Sequence, residues 1–169
     1  MAINESVIKQ LNLSEDQLTD FLVGDMGTIF ENMAGIANVS QRPKIIDPIN
    51  VFTNCVTALV GLGGACSGLV SLHLPDLLAR EFTSGMLGTP ITSINRDVHD
   101  AIGELALMIA GSFKHHFVTN GHEAQLSTPS VISGERYVMT IGSPADSLTL
   151  MFRSGDENFL VSVYVESAT

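Results

Sequence analysis

The stretch from Pro48 to Pro75 contains no formally charged residue, and this feature most constrains how the chain can fold. It is long enough to cross a bilayer as one helix. However, it contains asparagines, serines, a histidine and four glycines, which are unfavourable against lipid. A glycine cluster, Gly61 to Gly64, divides it into two apolar halves. The stretch therefore predicts a buried β-hairpin, with strands at about 51–61 and 64–73, rather than a transmembrane helix.

Helices are predicted on both sides of this hairpin. Ser14, followed by Glu15 and Asp16, suits the start of the main helix within residues 4–34, and Gly35 suits its end. The apolar positions of this helix fall three and four residues apart: Leu18, Leu22, Met26, Ile29 and Met33. Pro75 can open a short helix. The residues expected to be buried in that helix are Leu77, Leu78, Phe82 and Met86.

The rest of the chain favours strands around one long helix. An edge strand is predicted at 44–47, the long helix at 93–119, and three strands within 124–169. Tyr137, Met139 and Ile141 alternate in the first of these strands, after a turn near Gly134, and a second turn at 154–156 makes the last two a hairpin. This order predicts an α+β fold with a mostly antiparallel sheet and long helices packed on one face. We expect one domain over 1–169, with 1–35 as its N-terminal helical segment.

The charge balance excludes several classes of partner. The chain has eighteen acidic and eight basic residues, which gives a net charge of −10. Phosphate contacts need clustered Lys and Arg, so nucleic acid and an anionic membrane surface are both disfavoured. Cys55 and Cys66 do not form a Cys-x-x-Cys pair. We therefore expect reduced thiols in a cytoplasmic protein, with neither a zinc site nor a disulfide framework.

The long helix carries the most informative pattern. One side is an apolar stripe, made of Val98, Ala101, Leu105, Met108 and Ser112 with Ile102, Ile109 and Phe113 adjoining. The opposite side carries Asp97, Asp100, Glu104, Leu107, Gly111 and His115. An acidic face of this kind is compatible with simple solvation. A glycine within the helix and an apolar Leu107 among acids instead favour a contact surface, because an interior glycine costs about 1 kcal/mol relative to alanine.

Histidines near the end of this helix raise the alternative of a metal site. His115 and His116 are adjacent, with His122 and Glu123 nearby, but no two histidines lie four residues apart. Adjacent histidines on a helix point in different directions, so we expect surface histidines and no bound metal.

Three segments resemble a known family. DAIGELALMIAG (100–111) and TPSVISGE (128–135), together with the preceding GLGGACSGLVSLHLP (61–75), resemble the CheC/CheX/FliY family of chemotaxis phosphatases, most closely its CheX branch. The family signature is Asp or Ser, three residues, Glu, two residues, Asn, twenty-one residues, Pro. Asp100, Glu104 and Pro129 match it, whereas Leu107 stands in place of the Asn. No acidic residue of the first helix begins a second such motif, so one motif helix is expected.

The resemblance implies both a function and its residues. Family members remove phosphate from CheY-type response regulators, and CheX forms dimers. Glu104 would be the catalytic and docking acid, pairing with a lysine of the receiver. The partner-binding set would be Asp100, Glu104, Leu107, Gly111 and Pro129.

The resemblance also implies that the receiver supplies Mg²⁺, so that this chain needs no cofactor of its own. The family Asn orients the attacking water, and Leu107 has no group that can do so. The expectation is a cytoplasmic homodimer that binds a phosphorylated receiver, with weak or absent phosphatase activity. The alternative is a non-catalytic dimeric interaction module that has kept this fold.

Overall fold

A computed structural model describes Lys9 and residues 13–35, 44–47, 49–64, 66–119, 123–141 and 147–167. The helices bounded within these residues are α1 (Glu15–Ala34), α2 (Asp76–Leu87) and α3 (Arg96–Thr119). Its strands are β1 (Lys44–Ile46), β2 (Val51–Gly64), β3 (Cys66–Pro75), β4 (Ala124–Leu126), β5 (Ser130–Val138), β6 (Ser147–Ser154) and β7 (Glu157–Ser167). The expected α+β class is confirmed.

All seven strands form one antiparallel sheet in the order β1-β6-β7-β3-β2-β4, with β5 also paired to β2. The predicted edge strand is confirmed as β1, which pairs with β6 rather than with its neighbour in sequence, β2. On the other side of the sheet, β5 and β4 pair with successive parts of the long strand β2. The two outer positions of the sheet are thus filled by strands distant in sequence from their partners.

The predicted hairpin is confirmed, but Gly61 to Gly64 belong to β2 rather than to its turn. The glycine cluster lies inside β2 because other chain segments approach its backbone closely. A Cβ at Gly61 would lie 3.2 Å from Ser127 Oγ, and one at Gly64 would lie 2.5 Å from Glu123 O. These glycines make room for β4 and the residues beside it.

The core lies between one face of the sheet and the three helices. Alternate residues of β2, β3, β6 and β7 point into it, as the two-residue period of a strand requires. Phe30 of α1, Phe82 of α2 and Phe159 of β7 meet there, with ring centroids 5.0 to 5.8 Å apart. The prediction that helices cover one face of the sheet is confirmed.

Helix α1 begins and ends as predicted, although the predicted start near residue 4 lies outside the described residues. Ser14 forms a capping box with Gln17, and Gly35 ends the helix in the left-handed conformation. The predicted stripe is wrong at Met33, which is exposed, while Phe30 is buried in its place. The buried side of α1 is shifted because α1 also packs against α2. This contact is close: a Cβ atom added at Gly85 of α2 would overlap Ala34 O of α1.

In α2, Pro75 occupies the N-cap position and Leu78 and Phe82 are buried as predicted. Leu77 was expected to be buried, but it is exposed on the side of α2 that faces away from the core. Across the described residues, no helix is long and apolar enough to span a membrane.

The described residues within 124–167 form four strands, β4 to β7, where three were predicted. Gly134 is not in a turn but inside β5, opposite Cys55, and β5 ends at Val138 before Met139 and Ile141. Pairing with β2 extends β5 through the glycine. The predicted hairpin of β6 and β7 is confirmed, with Leu148, Leu150 and Phe152 buried and Gly155 in the left-handed region at its turn.

Candidate functional site

Helix α3 begins at Arg96, three residues later than predicted, because Asn95 caps it. The Asn95 side-chain Oδ1 accepts a hydrogen bond from Val98 N at 3.1 Å, and its backbone oxygen accepts one from His99 N at 3.1 Å. Since the cap satisfies amide groups that would otherwise lack partners, it fixes the start of the helix. The start of the helix determines which of the following side chains face the core and which face solvent.

Most of the α3 surface is buried. Val98, Ile102, Leu105, Ile109 and Phe113 have at most 1% of their surface exposed, which confirms the predicted apolar stripe. Met108 and Ser112, also predicted in that stripe, lie at its margin and are half-buried. Beyond the first turn, the exposed part is therefore a narrow strip along the opposite side of the helix.

Asp100 and Glu104 lie on this strip, one helical turn apart, and both are exposed. Within the described part of the chain, no ion pair involves either carboxylate. Both carboxylates are thus available to a group from outside the chain. Their negative charges give the strip a polarity that suits a cationic side chain.

Pro129 packs beside this strip at Gly103. A Cβ at Gly103 would lie in ordinary contact with Pro129 Cγ, at 3.5 Å, and in tighter contact with Val131 Cγ2, at 3.3 Å. Gly103 lies one helical turn from both Asp100 and Leu107. The structure therefore brings Pro129 next to the acidic strip across a long separation in sequence. Sequence reasoning did not single out Gly103, although a glycine inside a buried helix was the signal available.

Leu107 is only half-exposed, because part of its side chain packs against the core cluster. Leu107, predicted on the side opposite the apolar stripe, thus lies only partly on the surface. Its remaining surface lies on the same strip as Glu104, three residues earlier. A leucine side chain offers neither a hydrogen-bond donor nor an acceptor there.

Gly111 leaves its helix backbone uncovered at the far end of the strip. No heavy atom lies within 4 Å of the place a Cβ would occupy, apart from its sequence neighbours and the helix backbone itself. The described residues thus provide no close approach of the kind that the glycine suggested. The open backbone can admit a partner instead.

His116 joins α3 to α1, so the expectation that it is a surface histidine is wrong. Its Nε2 lies 2.8 Å from Asp25 Oδ2, and its ring stacks on Phe21 at a centroid distance of 3.9 Å. His115 is exposed, as expected, and His122 lies outside the described residues. In the described ranges, no cluster of three or more His, Cys, Asp or Glu side chains could hold a metal ion.

The comparisons with known proteins point to one family. A sequence model of the family described as "Chemotaxis phosphatase CheX" matches residues 56–153. The matched range includes α3, Pro129, all of β3 and β2 from Val56 onward. The CheY-P phosphatase CheX of Thermotoga maritima is 24% identical over 119 residues, covering 70% of this chain and 76% of the relative.

Solved structures show the same fold. The chemotaxis protein CheX from Desulfovibrio desulfuricans superposes with a TM-score of 0.76 at 27% identity, covering 88% of this chain and 99% of that chain. A chain in the CheX–CheY–BeF3–Mg²⁺ complex from Borrelia burgdorferi superposes with a TM-score of 0.72 at 18% identity, covering 87% and 96% of the two chains. The second likeness is one of fold.

Proposed function

The chain belongs to the CheX family of chemotaxis phosphatases, and from this membership we propose that it binds a phosphorylated CheY-type receiver domain through α3. The binding surface would be the docking face, defined as Asp100, Glu104, Leu107 and Gly111 with the adjoining Pro129. One observation carries the proposal: two exposed carboxylates without an ion pair in the described residues lie on the one uncovered strip of a buried helix. The Borrelia relative crystallised with CheY supports this choice of partner.

Glu104 would pair with a lysine of the receiver, and Asp100 would extend the negative surface by one turn. Charge complementarity of this kind fixes the register of docking and accelerates encounter. Gly111 would let the receiver approach the helix backbone, since no side chain of the described residues fills that space. Mg²⁺ would come with the receiver, and the chain would act without a cofactor of its own.

Catalysis by this docking face would be weak. Hydrolysis of an acyl phosphate needs a water oriented for in-line attack, and a side-chain amide can both donate to and accept from that water. Leu107 occupies the position where the family signature has this amide. Loss of one such positioning group commonly lowers a rate by about 100- to 1000-fold. Glu104 would then contribute to binding of the receiver but little to hydrolysis of its phosphate.

A specific surface supports the expected homodimer. The edge strand β5 pairs with β2 on one side, and within the described residues no strand covers its other side. Two apolar side chains of β5, Ile132 and Val138, are 41% and 63% exposed, and Val51 is exposed opposite Val138. A second copy that paired along this edge would cover them. A dimer built in this way serves equally the alternative function of a cytoplasmic interaction module without a receiver partner.

Capture of a receiver domain separates the two functions. Immobilised full-length protein would be exposed to a CheY-type receiver with and without beryllofluoride and Mg²⁺, which mimic phosphorylation. Capture that depends on activation supports the proposed function. Equal capture of both forms, or capture of neither, contradicts it and favours the interaction module.

A further inference from the structure

The face of the sheet away from the helices carries a group of buried polar side chains. Thr57 alternates along β2 with the core residues Val56 and Ala58, so it points to this far face. Ser71, His73, Ser147 and Thr149 are also buried polar residues of the strands, all at most 7% exposed. Buried polar groups are costly unless they are hydrogen-bonded, so their partners must be accounted for.

A chain of hydrogen bonds satisfies most of these groups. Tyr137 OH lies 2.7 Å from Thr57 Oγ1, which lies 2.8 Å from His73 Nδ1. On the other side of the ring, His73 Nε2 lies 2.9 Å from Ser71 Oγ. Phe52 stacks on the imidazole at a centroid distance of 4.3 Å. The register of the strands produces this chain, because Thr57 and His73 are direct cross-strand partners.

The imidazole at the centre of the chain is neutral near pH 7, because burial lowers the pKa of His73 to about 3. A neutral ring has one donor nitrogen and one acceptor nitrogen, so its two hydrogen bonds run in one direction. If Nε2 donates to Ser71, the hydroxyl hydrogen of Ser71 is unused; if Ser71 donates, its lone pairs are unused. In both arrangements, the Ser71 hydroxyl group can form a further hydrogen bond besides the one to His73.

This spare capacity faces a cavity of about 170 Å³. The sheet forms its floor, where Ser71 lies opposite Ser162, and Thr149 Oγ1 lies 3.0 Å from Ser162 Oγ. Segments 49–50 and 139–141 also line it, and Met139 N donates to Asn50 O at 2.8 Å to join them. Leu69, Ile49 and Met139 supply apolar walls. No described residue that lines the cavity is an acid, a lysine or an arginine.

We propose that this cavity is a binding site for a small uncharged molecule that combines a compact apolar body with one hydroxyl group, and that Ser71 is its anchor. Size supports this class, because an engineered cavity of about 150 Å³ accommodates benzene. Charge supports it as well, since a buried ion without a counter-charge pays a large desolvation cost. The site lies across the sheet from α3, so the inference is independent of the docking face.

Phenol is a suitable probe because it has one ring and one hydroxyl group. The full chain, labelled with nitrogen-15, would be titrated with phenol, with toluene as a ring lacking the hydroxyl and benzoate as a charged ring. We expect saturable shifts with phenol at the amides of 69–73 and 160–164, weaker binding of toluene, and no saturable shifts with benzoate. The absence of saturable phenol shifts would show a cavity that holds only water, and would overturn the proposal.

Ser71→Ala tests the anchor. This variant should weaken phenol binding by about fivefold, the effect of losing one hydrogen bond, and leave toluene binding unchanged. Ser130→Ala is the matched control, because Ser130 is exposed on β5 and lies outside the cavity. Its spectrum and its phenol affinity should match those of the wild type. Equal loss of phenol and toluene binding in a folded Ser71→Ala protein would contradict the assigned role of the hydroxyl.

Discussion

Pro129 packs beside Gly103 of α3. A Cβ atom added at Gly103 would lie 3.5 Å from Pro129 Cγ. Gly111, two turns later on the same helix, has open space where its Cβ would be. Two glycines of α3 thus differ in kind. Gly103 makes room for a contact within the chain, and Gly111 leaves room for something that the described residues do not supply.

Gly111→Ala should stabilise the free protein by about 0.5–1 kcal/mol, because alanine favours a helix and the added methyl group meets no described atom. The same methyl group should weaken binding of an activated receiver if the receiver approaches the helix there. Urea denaturation and a binding titration would measure the two effects. Gly103→Ala is the comparison, since crowding by Val131 should cancel its gain in helix propensity. Unchanged receiver affinity in Gly111→Ala would remove Gly111 from the docking face.

Glu104→Lys should abolish binding of an activated receiver while the protein stays folded. Glu104 is exposed, so little packing is lost, and the new lysine would face the lysine of the receiver. Asp47→Lys is the matched control: it makes the same charge change at an exposed residue next to β1, at the far edge of the sheet. Receiver affinity would be measured by calorimetry. Equal affinity in the wild type and Glu104→Lys would contradict the docking model.

Leu107→Asn should raise the rate of receiver dephosphorylation by at least about tenfold, because it restores an amide that can orient water. The variant should lose about 1–2 kcal/mol of stability, more than a surface change, since part of Leu107 packs on the core. Release of phosphate from a labelled receiver would be compared at equal occupancy of the complex. Leu107→Ala controls for lost packing and should show no gain in rate. Vigorous wild-type catalysis that Leu107→Asn leaves unchanged would show that another group orients the water.

Acidification should destabilise the protein through His73. The pKa of His73 is about 3 in the folded state and near 6.5 when unfolded, so between these values the unfolded state binds the extra proton. Stability therefore falls as the pH drops below 6.5, by up to about 1.4 kcal/mol per unit. Between pH 7 and pH 5 this single group should account for about 2 kcal/mol. Urea titrations of the wild type and His73→Gln would isolate it, and equal losses in both would contradict this assignment.

The chain should sediment as a dimer at micromolar concentration. Val138→Lys should shift it toward monomer, because a charged residue on an exposed strand edge opposes pairing with a second copy. Leu87→Lys is the control, an exposed apolar residue at the end of α2. Wild-type protein that sediments as a monomer would contradict the homodimer, and dissociation by Leu87→Lys instead of Val138→Lys would move the interface away from β5.

Local patterns predicted what depends on neighbours in sequence. The capping of α1 by Ser14, the buried stripe of α3 and the alternation in β6 all follow from a single helix or strand and its period. The helical period likewise places Asp100 and Glu104 together on the side opposite the apolar stripe, where both are exposed. These features need no knowledge of the remaining chain.

The errors involve contacts between distant segments. Gly61 and Gly64 were predicted to lie in a turn, but they lie in β2. The residues that approach their backbones, in and beside β4, come much later in the chain, so no local pattern indicates this contact. Leu107 read as exposed because packing around α3 decides how wide its buried side is. The partnership of Tyr137, Thr57 and His73 depends on the register of three strands, which no local pattern specifies.

The pairing of the outer strands with strands distant in sequence has a consequence for folding during synthesis. Because β1 pairs with β6, and β5 pairs with β2, neither half of the sequence can complete its own part of the sheet. A nascent chain that has emerged only as far as α2 lacks the partner of β1 and the neighbour of β3, which is β7. Stable structure must wait until β7 has left the ribosome. The long sequence separation of these pairings also predicts slow, concerted folding. Cutting the chain between α2 and α3 would therefore yield two fragments that each expose unpaired strands.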